Sequence, residues 1–342
     1  MPHLSRREFS AALVSSLVVA PHVARAAAAP RLNLSNLDRF RQRAFELGAS
    51  GLVVTTADKT LLSAGEVSAV SRIASIRKSF VSALYGIAVS DGRIGLATTV
   101  GELGIDDYTP LTSVEKGATL RDLLRARSGI YLPTAAETPA MKAARPGRGS
   151  HAPGTFWYYN NWDFNVLGDA YQRVTGEDLF AAIENRLLRP LGFQDFDPLR
   201  DMKWSFDTDH PRFPAYNMWM SARDMARFGQ LFLRRGEWGG KQLVPAPWVK
   251  ESTTAYSRTD HSGWGGGYGY LWWIASRIDG ASTDGLPVGA FSAAGNGGRW
   301  ITVFPDHDLV VAVQPVEIRG QPQSEIYTDK SAYTNLLKLL FA

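Results

Sequence analysis

Apolar strand patterns stand at the two ends of this chain and helical patterns fill its middle, and no other feature limits the possible fold as much. Near the start, residues 51–56 read as a strand and residues 60–63 as its hairpin partner across Ala57-Asp58-Lys59. Near the end, residues 268–275, 288–293, 299–304 and 309–314 read as strands, with Pro305-Asp306-His307-Asp308 turning between the last two. Helical patterns occupy residues 120–126, 162–174, 177–188 and 221–235, the last opened by Ser221-x-x-Asp224 as a capping box. A first helix, capped by Asn33 or Ser35, carries Leu37, Phe40, Ala44, Phe45 and Leu47, and a closing helix covers residues 332–341. Strands at both ends with helices between imply an α/β (α+β) chain with one antiparallel sheet built from both ends, flanked by helices. The sheet lobe is expected over residues 31–74 and 255–342, with an inserted, mostly helical lobe over residues 75–254. A cleft between two such lobes is a common place for a small-molecule site.

The 342 residues suffice for one large core or two closely packed lobes. There is no cysteine, which excludes a disulfide framework, a cysteine-ligated zinc and a cysteine nucleophile. The formal charge is +4, of which Arg6, Arg7, Arg25 and Glu8 account for +2, too small a balance to point to nucleic acid or an anionic membrane. Ser5-Arg6-Arg7-Glu8-Phe9 is a twin-arginine pattern, followed by an apolar stretch over residues 11–20 and the small-x-small site Ala24-Arg25-Ala26. Residues 1–28 therefore read as a Tat signal peptide, with the Tat export machinery as partner and the periplasm or the exterior as destination. The apolar run is too short to span a bilayer, and no integral membrane segment is expected in the mature chain, residues 29–342.

Ser75-Ile76-Arg77-Lys78 is an S-x-x-K element at the start of an amphipathic helix running to Gly92. Residues three apart lie on one helical face, so the Lys78 amine reaches back to the Ser75 hydroxyl. A helix start also offers unpaired N–H groups and partial positive charge to an oxyanion. Serine needs a base, and a lysine base must first be neutral, a shift of about three units that burial and neighbouring cations supply. Ser113-Val114-Glu115-Lys116 has the same spacing but lies in a polar stretch with no apolar helix after it, so Ser113 reads as a turn or cap residue.

Further motifs follow in order. Pro153-Gly154 precedes Tyr159-Asn160-Asn161, and Leu167-Gly168 follows; Tyr158 is the alternative tyrosine if the register slips by one. Arg121-Asp122-Leu123-Leu124 leads to Ser128-Gly129, and residues 217–229 form another family-like segment, expected to be helical. Over roughly residues 34–340 the chain resembles the serine β-lactamase-related hydrolases: class C β-lactamases, penicillin-binding proteins, DD-peptidases and esterases, including the 6-aminohexanoate-dimer hydrolase branch. The resemblance implies the β-lactamase/transpeptidase-like fold and no cofactor or metal. It also implies an acyl-enzyme on Ser75, with Lys78 and Tyr159 exchanging the proton, Tyr159 passing it to the leaving group and Asn161 bonding Lys78 or the substrate amide.

In the third family element Ala293-Ala294-Gly295-Asn296 stands where relatives carry K-T-G or H-x-G. The resemblance makes the Asn296 N–H the second oxyanion donor, with Gly295 admitting a substrate backbone. Ala293 lacks the usual cation, and the role of Arg299 stays open. That gap favours an esterase or amidase acting on a small-molecule ester or amide. The alternatives are a penicillin-binding or sensor protein, or a DD-peptidase or β-lactamase, that acylates with a β-lactam or a peptidoglycan peptide; and a non-catalytic scaffold. No G-x-S-x-G elbow, H-E-x-x-H motif or phosphate loop occurs, and His151 and His261 read as solvated loop residues. The tryptophans near these motifs read chiefly as core packing.

Overall fold

The computed structural model describes residues 31–206, 212–259, 266–315 and 330–341. The signal-peptide reading of residues 1–28, together with His261 and Trp264, lies outside the described residues.

Strands form in chain order as β1 (Gly51–Thr55), β2 (Thr60–Gly65), β3 (Ser71–Arg72), β4 (Met202–Ser205), β5 (Ala215–Met220), β6 (Glu237–Trp238), β7 (Lys241–Gln242), β8 (Ser257–Arg258), β9 (Gly267–Tyr268), β10 (Trp273–Ile274), β11 (Phe291–Gly295), β12 (Arg299–Phe304) and β13 (Leu309–Gln314). Eight of them make one sheet in the order β2-β1-β13-β12-β11-β10-β9-β8. All its pairings are antiparallel, and β1 lies against β13 with Val53 opposite Ala312. The sheet is thus closed by the two chain ends, as the strand placement implied.

Successive strand residues face opposite sides. Val53, Ile301, Val310 and Ala312 face the larger core, shared with the central helices. Leu52, Val54, Val311 and Val313 face a smaller core under the terminal helices Leu37–Glu46 and Lys330–Lys338. The Ala222–Leu233 helix lies flat on the first face, although the sequence boundaries place it in the helical lobe. Its Gly229 permits that approach, since a Cβ there would stand 2.5 Å from Val310 Cγ1.

The helix after the nucleophile, Arg77–Ser90, is buried on nearly every side. A helix enclosed in this way needs no apolar stripe. Gly86 lets the Trp248 indole pack close, since a Cβ there would fall 2.3 Å from it.

Several expectations change in detail. Ser75 belongs to a 3-10 turn, Ala74–Ile76, and the α-helix begins at Arg77. Residues 268–275 do not form one strand: Leu271 takes a φ of 64°, and Gly269 N–H donates to the Trp272 carbonyl, folding β9 back on β10. Residues 217–220, the start of the expected helical segment, belong instead to β5, which pairs with β3 and β4 in a small second sheet. Asn33 caps a 3-10 turn, Leu34–Asn36, through the Ser35 N–H. The expected 177–188 helix is Leu179–Ile183 followed by a π-helical turn, Glu184–Leu188. Ser221 caps its helix through Asp224 N–H, but the Asp224 carboxylate accepts from the N–H groups of Gln194 and Asp195 instead of closing the box. The cap in the second S-x-x-K is Thr112, in a complete capping box with Glu115, and Ser113 is the first residue of a four-residue helix.

Candidate active site

Ser75 stands three residues after the end of β3. Ala74 before it holds a φ of 48°, a left-handed conformation that an alanine adopts only under constraint. The 3-10 turn leads into the buried helix, which carries Lys78 beneath the serine. The Lys78 side chain is 2% exposed, and its Nζ donates to Ser75 Oγ at 2.9 Å, Tyr159 OH at 2.7 Å and Asn161 Oδ1 at 2.8 Å. It also lies over the rings of Tyr159 and Phe164, 4.4 and 4.5 Å from their centroids. Burial, and after it the neighbouring Arg77 charge, pushes the amine well below the usual lysine range. Burial pushes the Tyr159 phenol up to about 12, against the opposing pull of Ser75 and Arg77.

Tyr159 and Asn161 arrive at the start of the Asn161–Thr175 helix, which Asn160 caps through the Trp162 N–H. Asn160 Nδ2 donates to the Ile130 carbonyl and to Asp163 Oδ1, which also accepts from Ser128 Oγ at 2.5 Å. The Ser128-Gly129 motif thus anchors the tyrosine turn from below. Burial pushes the Asp163 carboxyl well up. Asn161 Nδ2 donates to the Ala136 carbonyl at 2.6 Å, so its amide is oriented with oxygen toward Lys78. Of the two tyrosines, Tyr159 is the one bonded to Lys78; Tyr158, which also lines the cleft, donates to the Met141 carbonyl.

The end of β11 forms the other wall. A Cβ on Gly295 would stand 2.4 Å from the Ile73 carbonyl oxygen. The close approach that needs this glycine is therefore the chain's own backbone before Ser75. It brings Asn296, next in the chain, to the nucleophile's side of the cleft. Arg299, 1% exposed, donates through Nη1 to the Asn296 and Gly297 carbonyls and so braces this turn. Ala293 faces the larger core, and Ala294 lines the cleft.

The cleft holds about 680 Å³ and brings together Ser75, Tyr159, Asn161, Gly295 and Asn296. Trp157 and Trp273 line it, and Trp273 stacks on Tyr159 at 5.3 Å; Trp162 and Trp272 are fully buried core residues. Sequence reasoning missed Arg72, Arg77 and the segment from Ala136 to Pro146, which also line the cleft. Arg77 stands inside the S-x-x-K element and was open to notice as a charge beside the nucleophile; nothing marked the other segment, which holds the short helix Pro139–Ala144. His151 stacks on Phe156 at 4.0 Å and contacts Tyr131 and Ser150. Among the described residues no cluster suits a metal ion, and no helix is long and apolar enough to cross a membrane.

Residues 38–314 match the β-lactamase family model. An uncharacterised protein of Alkalihalophilus pseudofirmus is 25% identical over 274 residues, covering 75% of this chain and 76% of its own. The D-alanyl-D-alanine-carboxypeptidase/endopeptidase AmpH of Escherichia coli is 25% identical over 217 residues, 55% of each chain. Among solved structures, a Bacillus anthracis protein assigned as a 6-aminohexanoate-dimer hydrolase superposes with a TM-score of 0.63 at 20% identity, over 87% of this chain and 80% of that one. The octameric penicillin-binding protein homologue from Pyrococcus abyssi gives 0.63 at 19% identity, over 90% and 77%. At such identities these structures establish the fold alone.

Proposed function

The chain belongs to the β-lactamase family, and on that footing we propose that it is a serine hydrolase cleaving an ester or amide bond through an acyl-enzyme on Ser75. The observation that carries this reading is the Lys78 amine, buried and bonded at once to Ser75 and Tyr159. A buried amine pushed below its usual range supplies a neutral lone pair, and in that state the Ser75 hydroxyl donates to it. Ser75 Oγ attacks the carbonyl carbon while its proton passes to Lys78 Nζ. The oxyanion is received by the N–H groups of Ser75 and Asn296. Collapse expels the alkoxide or amine, protonated through Tyr159 OH, which Lys78 reprotonates. A water then attacks the acyl carbon, losing its proton to the same pair, and the acid leaves with Ser75 restored. Asn161 holds the amine in line.

Ala293 leaves β11 without a cation, which supports an esterase or amidase over a true β-lactamase. The AmpH relative supports the second reading, acylation by a β-lactam or a peptidoglycan peptide. Wild type and Ser75→Ala are compared on p-nitrophenyl butyrate, nitrocefin and a linear aminohexanoate dimer. Turnover lost in the mutant supports the nucleophile, and the preferred substrate chooses between the readings; turnover surviving in Ser75→Ala overturns the mechanism. We also propose export through residues 1–28. Replacing Arg6 and Arg7 by lysine is expected to retain the protein in the cytoplasm on fractionation, and unchanged export rejects it.

A further inference from the structure

One wall of the cleft, the segment from Ala136 to Pro146, is closed on itself by an ion pair. Glu137 at its start accepts from Arg145 near its end, Nε at 3.2 Å and Nη2 at 2.7 Å, and its Oε2 also accepts from the Thr134 N–H at 3.1 Å. The Glu137 side chain is 1% exposed, that of Arg145 18%. A carboxylate is kept out of water only where such contacts hold it. Between the two residues lies the helix Pro139–Ala144, capped by Thr138.

Two atoms of this closed segment reach Asn161. The Ala136 carbonyl accepts from Asn161 Nδ2 at 2.6 Å, and Met141 Sδ lies 3.8 Å from the same nitrogen. Ala136 holds a φ of 64°, which an alanine keeps only where its surroundings impose it, and Glu137 is its neighbour in the chain. One turn along the same helix face, Asn165 Nδ2 donates to Thr134 Oγ1 and to the Ala135 carbonyl, so the start of the segment is tied to the tyrosine helix twice.

The direction of the Asn161 amide decides what Lys78 can do. With the amide oxygen toward it, the neutral amine spends one N–H on Asn161 and the other on Tyr159, and its lone pair is left for the Ser75 proton. Turned over, the amide would donate to that lone pair, and Ser75 would lose its base. We propose that Glu137 is a positioning residue: its clamp on Arg145 and Thr134 fixes the Ala136 carbonyl, and that carbonyl keeps the Asn161 oxygen toward Lys78. The inference rests on the acyl-enzyme reading above and adds to it the group that orients the base.

The test opens the clamp in two backgrounds, wild type and Asn161→Ala. Glu137→Ala removes both contacts; should it not fold, Arg145→Met opens the same pair from its more exposed end. Turnover is measured on whichever of the three substrates above wild type cleaves. In the wild-type background kcat is expected to fall about tenfold, and in Asn161→Ala less than about twofold, the non-additivity of two groups that act through one contact. KM is expected to move in both, because the segment lines the cleft. Glu137→Gln, which can keep the Thr134 contact and one to Arg145, is expected to retain part of kcat. An equal loss of kcat in both backgrounds, or no loss in either, overturns the positioning role. A second measurement needs no turnover: the titration of Lys78, followed through the NMR resonance of its Cε. Lys78 faces Ser75, Tyr159, Asn161, Phe164 and the Arg77 charge. The Asn161 oxygen favours the ammonium form, so opening the clamp is expected to lower the Lys78 pKa by about half a pH unit more with Asn161 present than with alanine there. The charge removed with Glu137 acts in both backgrounds, so the difference between them is the readout, and an equal shift in both overturns the proposal. If turnover survives in Ser75→Ala, or no substrate is cleaved, the acyl-enzyme reading falls and this titration alone decides the role of Glu137.

Discussion

Lys78 places all three of its donor positions on groups of the cleft, and its side chain meets almost no water. Burial, and after it the neighbouring cation Arg77, disfavours its protonated form. That is the physical cause of its depressed pKa, and it fixes two signs. Activity needs the neutral amine, so kcat/KM is expected to rise as pH passes upward through the folded-state pKa of Lys78. Arg77→Met removes a like charge, raises that pKa and moves the acid limb of the pH profile to higher pH; an unmoved limb counts against Lys78 as the base. Stability follows the same linkage. The folded pKa lies below the unfolded one, so between them the unfolded chain binds the extra proton, and the contribution of Lys78 to stability grows as pH rises across that interval. Lys78→Met is expected to flatten this slope in urea titrations at several pH values and to cost roughly 10²–10⁴-fold in turnover. The serine, the lysine and their spacing were legible in the sequence because one helical turn dictates the contact. Arg72 was not, because its approach depends on β3 pairing with a strand more than a hundred residues later.

At the scale of elements, the site depends on three turns meeting: the 3-10 turn of Ser75, the capped start of the Tyr159 helix and the end of β11. The second was readable, since Asn160, Asn161 and Asp163 are cap and first-turn residues whose chemistry is local. The third was readable as a glycine but not in its purpose, because the atom it accommodates, the Ile73 carbonyl, belongs to another element. Gly295→Ala is expected to force β11 away from Ser75, lowering stability by about 1–3 kcal/mol and turnover by a larger factor than the stability loss accounts for. Denaturant melts read beside kcat check this; an unchanged kcat would remove Gly295 and its neighbour Asn296 from the oxyanion side. The short strand β3 was beyond sequence reasoning for a plain reason: two residues carry no alternation; β9 and β10 were read only as one strand over 268–275, without the fold-back between them.

At the scale of the whole molecule, the two-ended sheet was the best-read feature, because β1, β12 and β13 are long, apolar and flanked by turn residues. Their burial on both faces follows from the two cores that the sheet separates. β13 lies between β1 and β12, so it is central to the sheet although it is late in the chain. A chain cut after Phe304 is therefore expected to lose the cooperative fold altogether; a cooperative melt in that truncated protein would show that the remaining lobe stands alone.

The pairing of Gly51 with Gln314 also sets a schedule for the cell. At about 5–20 residues per second, the ribosome makes the partner strand on the order of tens of seconds after β1. During that wait Leu52, Val53 and Val54 have no neighbour on that edge, and the helix after the nucleophile has no finished wall against which to settle. The newborn chain holds its chemistry in reserve until nearly its last strand is translated, and for that interval its sticky edge is the business of whatever chaperone meets it first.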